Sequence, residues 1–140
     1  MKKLIPCALL ILLAVLPTLA TDQEDAAADA VAAAFAQARQ AGHLSKLERM
    51  GRNKFREKVC KQDMRFAAGL IKTVRYETSD PAQIPESAQR LATETYTSTI
   101  PARFGVGVCA ANSSSAGRPK YSVLIATYES RSASFWRTFD

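Results

Sequence analysis

Residues 4–16 are almost uninterrupted Leu, Ile, Ala and Val, preceded by Lys2 and Lys3 and followed by Thr18-Leu19-Ala20. A positive start, a short apolar run and a small-residue end form a secretory signal peptide over residues 1–20. The pattern then changes to Thr21-Asp22-Gln23-Glu24, a capping box, followed by an alanine-rich run with Val31, Phe35 and Ala38 on one narrow stripe. That spacing predicts a helix from about residue 21, with Asp22, Glu24, Asp25 and Asp29 suiting its positive end and Gly42 its C-terminal cap. Ser45-Lys46-Leu47-Glu48 is a second capping box, and Asn53 offers a later start. From there Phe55, Val59, Gln62 or Asp63, and Phe66 keep a three-to-four-residue period, which predicts a helix over 53–66.

Beyond it, Ile71, Val74 and Tyr76 fit either a short strand within 70–78 or a continuation of the helix, of which the strand is preferred, and Ser79-Asp80-Pro81 marks a turn. Pro85 opens a third helix over about 86–95. Strict alternation follows: Phe104, Val106 and Val108 share one face of a strand, and Gly105, Gly107 and Cys109 share the other. The small face invites close approach by another backbone or helix. A polar loop over 112–120 leads to a nearly continuous apolar strand, residues 121–128, which fits a central position covered on both sides. The tail, 129–140, carries Phe135, Trp136 and Phe139 and is expected to pack.

Composition narrows the class without naming an activity. The 140 residues are 47% hydrophobic, too apolar for disorder, and no second apolar run is long enough to span a bilayer. No internal repeat is visible, so residues 21–140 are expected to form one domain with a modest core over about 30–128. The formal net charge is +6, of which Lys2 and Lys3 supply two. Residues 46–65 hold eight basic side chains against Glu48, Glu57 and Asp63. Nucleic acid is a poor partner for that segment, because the leader implies export and few aromatic residues interleave for base stacking. A solvated helix face is the simpler reading, with attraction to an anionic envelope polymer or lipid behind it.

Cys7 falls in the leader, leaving Cys60 and Cys109. An even pair in a secreted or periplasmic protein is most simply a disulfide, contributing roughly 3–4 kcal/mol in the chain-entropy model. Two buried free thiols are the alternative, and these spacings with one histidine do not make a zinc site. Candidates for chemistry are sparse. Pairing His43 with Cys60 or Cys109 requires a free thiol. A serine triad would draw on His43 and Ser113, Ser114 or Ser115, with no nucleophile elbow around them. Gly105-x-Gly107-x-x-Ala110 lacks the helix a dinucleotide needs. Asn112-Ser113-Ser114 fits a glycosylation acceptor, and Glu86 and Glu94 read as an exposed helix face. No catalytic residue, metal ligand or cofactor is assigned.

The order of these features resembles the CAP superfamily, the SCP-like domains of cysteine-rich secretory and pathogenesis-related proteins. Residues 35–47 are similar to its opening, with Arg39, Leu44 and Leu47. Asp63-Met64 resembles the end of its next helix, and Gly105-Val106-Gly107-Val108 with residues 121–128 resembles its closing strands. The resemblance implies an α+β fold, an α-β-α sandwich with a small, mainly antiparallel sheet. Counting from Leu47, the family's first metal-binding histidine falls at Cys60, no histidine occupies the second position around 89–92, and the Gly-Glu-Asn segment is missing. The family reading therefore implies a compact member without the metal tetrad, in which Cys60 on the helix faces Cys109 on the strand and a disulfide replaces the metal site. It implies a non-enzymatic binding domain whose partner is a small apolar ligand, a peptide or an anionic envelope polymer. A small secreted hydrolase or protease and a basic structural envelope protein are the rival readings.

Overall fold

The computed structural model describes the backbone of residues 5–94, 102–111 and 119–129, and side chains from Thr21 onward. The first helix, α1, runs Ile5–Ala41. It therefore does not begin at Thr21. The apolar run before Thr21 is itself rich in Leu and Ala, so the helix continues through it and leaves no orphan amides at Thr21 to cap. The side chains of residues 1–20 lie outside the described residues. Ala27, Ala28, Val31, Ala32 and Phe35 form the buried face of α1. Its end is also not the expected one. The left-handed residue is His43, φ 54°, while the Leu44 amide donates to the Arg39 carbonyl at 3.4 Å and closes the last turn.

The second capping box makes no helix. Residues Glu48–Arg49 form a short strand, β1, with Leu47 and Met50 buried on opposite faces of the sheet. The expected helix over 53–66 is shortened to α2, Arg56–Cys60. Gln62 adopts φ 52° and the Asp63 amide donates to the Lys58 carbonyl at 2.9 Å, which stops the helix before Asp63-Met64. Strand β2 spans Leu70–Thr78, and α3 spans Glu86–Ala92 with Pro85 immediately before it. α3 stops at Ala92 with Thr93 as its C-cap, short of the expected end at residue 95; the Thr93 hydroxyl bonds back to the Gln89 and Arg90 carbonyls there.

Strands β3, Arg103–Ala110, and β4, Tyr121–Tyr128, pair antiparallel with Val106 opposite Ile125. The sheet order is β1-β3-β4-β2; β2 is antiparallel to β4, and only the two-residue β1 runs parallel to its neighbour. The fold is thus mixed α and β, with three helices and a four-stranded, mainly antiparallel sheet among the described residues. One face packs Phe104, Val106, Val108, Val123 and Ile125 against α1 and α3, where Phe35 meets Phe104 at 4.8 Å between ring centres. The other packs Leu124, Ala126 and Tyr128 against Phe55 and Val59 of the α2 segment. β4 is covered on both sides, as its apolar run predicts. The tail from residue 130 and the loop 112–118 lie outside the described residues.

Candidate functional site

The α2 segment reaches the sheet because β3 has glycine where a side chain would stand. A Cβ added at Gly105 would lie 2.0 Å from the Phe55 ring, and one at Gly107 would lie 2.5 Å from the Phe55 carbonyl oxygen. The Phe55 ring stacks on Tyr128 with centres 5.9 Å apart and planes 4° from parallel. One turn later, Cys60 bonds to Cys109 at the end of the same small face, with Cα atoms 5.4 Å apart. Alternation in β3 and the helical step from Phe55 to Cys60 bring the two sulfurs together.

The outer edge of β3 is completed by side chains once β1 ends. The Met50 amide donates to the Phe104 carbonyl at 2.8 Å. The Val108 amide then donates to Asn53 Oδ1 at 2.8 Å, and the Ala110 amide to Glu24 Oε1 at 3.3 Å. Asn53 Nδ2 in turn donates to Asp25 at 3.0 Å and to the Val108 carbonyl at 3.4 Å. Asn53 is buried, and its φ of 47° is one that asparagine tolerates better than most residues. This edge would otherwise expose ladder groups to another chain. By local pattern Asn53 reads as a helix start; a glycine two residues earlier, Gly51, is the local signal for a turn at this place.

The acidic residues of α1 do not serve its N-terminus, which lies many residues earlier. They hold the basic segment instead. Asp29 pairs with Arg49 at 2.9 Å and Arg52 at 2.6 Å, and buried Glu24 pairs with Arg56. The Arg52 hydrogen bond, more than any other influence, keeps the Asp29 carboxyl below its ordinary range. Part of the expected basic face is therefore neutralised by pairing within the chain.

Beside the bridge, Val59, Gln62, Glu77 and Ser122 line two adjoining surface hollows of about 380 and 420 Å³. One ends at Cys60 and Cys109; the other extends to Met64, Arg75 and Tyr76. Glu77 pairs with Lys120 at 3.1 Å, and burial pushes the Tyr76 hydroxyl up to about 12. The groove offers hydrogen-bonding and charged groups above a partly apolar floor. An apolar hollow on the other side of the sheet, among Phe35, Leu44, Leu47 and Phe104, has only about 30 Å³ of free space.

The other sequence candidates are not assembled into chemistry. Cys60 and Cys109 spend both thiols on the bridge, and His43 caps α1, which packs on the opposite face of the sheet from α2. Glu86 pairs with Arg90 and Glu94 with Lys72, so the two carboxylates have separate partners. Gly105 and Gly107 are spent on packing Phe55. Among the described residues no group of three His, Cys, Asp or Glu is placed to hold a metal ion. Ser113, Ser114, Ser115 and Asn112 lie outside the described residues. Among residues from Thr21 onward that are described, no helix is long and apolar enough to cross a membrane. No protein-family model matches the chain, and neither a curated protein nor a solved structure is significantly similar to it.

Proposed function

We propose that this chain is an exported, compact CAP-like domain that works by binding a partner at its surface, without the family's metal chemistry. The observation that carries this reading is the Cys60–Cys109 bridge. By the family spacing, Cys60 stands where the first metal-binding histidine would, and its sulfur is committed to Cys109. The donor set does not fit a metal. Helices on both faces of a mainly antiparallel sheet support the CAP-like architecture, and a disulfide fits an oxidising compartment.

Size favours one of the ligand classes that the resemblance implies. Sites for drug-sized ligands are clefts of about 300–1,000 Å³. The apolar hollow of about 30 Å³ beside Phe35 is far below that and has no room for a sterol or an acyl chain. The open groove beside the bridge is large enough, and Gln62, Arg75, Glu77 and Ser122 suit a polar, extended ligand such as a peptide.

Native mass spectrometry of the exported protein, before and after reduction, tests this reading. The expected result is a chain beginning at Thr21, two hydrogens lighter than its reduced form, with no metal or lipid retained. A stoichiometric bound sterol, fatty acid or metal ion would defeat it, as would two free thiols in the exported chain.

A further inference from the structure

The eight basic residues of 46–65 separate into groups with different surroundings. Arg49, Arg52 and Arg56 are held by Asp29 and Glu24. Lys54, Lys58, Lys61 and Arg65 instead line an open surface hollow of about 580 Å³ with Glu57 and Asp63. Four cations meet two carboxylates there. The pairs Lys61–Glu57, 2.7 Å, and Arg65–Asp63, 3.1 Å, have cation side chains 74% and 91% exposed, so solvent screens them and the cations can exchange partners. Met64, between Asp63 and Arg65, is 67% exposed and is one of two exposed large hydrophobic residues among those described. Beside it, Lys58 Nζ lies 5.0 Å from the centre of the Phe66 ring.

From these positions we infer that the outer face of the α2 segment docks on an anionic phospholipid surface. Lys54, Lys58, Lys61 and Arg65 meet headgroup phosphates, and Met64 enters the boundary between headgroups and acyl chains. A dissolved polyanion would satisfy the cations but give the exposed thioether nothing to bury against. The apolar residue amid the charges therefore selects lipid over polymer. This inference stands apart from the CAP-like reading, because its four cations lie outside the groove beside the bridge; Met64, at the groove's rim, is the one residue the two surfaces share.

Sedimentation of the exported protein with vesicles tests it, comparing phosphatidylcholine alone with phosphatidylcholine containing one third phosphatidylglycerol. Binding is expected to be at least about fivefold tighter to the anionic vesicles and to weaken with salt. The Lys54→Glu/Lys58→Glu/Lys61→Glu variant is expected to abolish that preference. Met64→Ser is expected to weaken vesicle binding about threefold and to leave binding to soluble polyphosphate unchanged. Equal binding to neutral vesicles, or Met64→Ser binding anionic vesicles like the parent, would overturn the inference; the second result would assign the face to a polyanion. If circular dichroism finds the triple variant unfolded, Lys54→Ala and Lys61→Ala decide the electrostatic part, and an unchanged vesicle preference in both would count against it.

Discussion

Gly105 and Gly107 meet the same neighbour in different ways. A methyl group at Gly105 collides with the Phe55 ring, whereas one at Gly107 collides with the Phe55 backbone. A side chain can be exchanged and a main-chain carbonyl cannot. Gly105→Ala and Gly107→Ala should each cost about 2–4 kcal/mol through overpacking and displacement of α2. Trimming the ring with Phe55→Leu should recover part of the loss in the Gly105→Ala background and none in the Gly107→Ala background. Urea unfolding of the three single and two double variants measures this coupling. Equal rescue in both backgrounds would show that the ring, and not the carbonyl, limits the approach at Gly107.

Among the elements, the junction between α1 and segment 49–56 depends on pH. Asp29 has an ordinary pKa of 3.8, and its folded pKa is lower, first because of the Arg52 hydrogen bond. A depressed carboxylate contributes stability that is present above the unfolded pKa and is lost as pH falls through the folded one. The urea midpoint should therefore fall as the pH drops below about 4, and Asp29→Asn should flatten part of that decline. Parallel curves for the two proteins would mean that the Arg49 and Arg52 pairs contribute no stability. Asp63, lowered to about 2 by Arg65, titrates in the same acid region but is untouched by Asp29→Asn, so the variant isolates the α1 junction.

Across the whole molecule, α1 and α2 lie on opposite faces of the sheet yet are tied around the edge of β3. Glu24 bonds both Arg56 and the Ala110 amide, Asp25 bonds Asn53, and the disulfide joins α2 to Cys109 beside Ala110. Replacing Cys60 and Cys109 together with serine should cost about 3–4 kcal/mol, the loop-closure value for a separation of 49 residues. The fold should survive, because Phe55, Val59 and Asn53 still hold the α2 segment to β3. Denaturant titration with near-ultraviolet circular dichroism checks both parts. Loss of the native signal in the absence of denaturant would mean that the bridge alone keeps α2 on the sheet.

The sequence by itself determined the two faces of β3, the buried run of β4, and a cysteine pair suited to a disulfide. Each follows from a short-range rule: alternation of side chains in a strand, continuous apolarity where both faces are covered, or an even thiol pair after a signal-like leader pattern. Tertiary structure decided where the helices stop and what the charges do. His43 and Gln62 end helices in left-handed conformations that glycine more commonly takes, and no local preference identifies them. Asp22 to Asp29 look like helix-start acids over about two turns of sequence, but Glu24 and Asp29 acquire their arginine partners from residues 20 to 32 positions away. Periodicity encodes which way a side chain faces. It carries no information about which distant cation or backbone edge will meet it, because that depends on the order in which strands join the sheet.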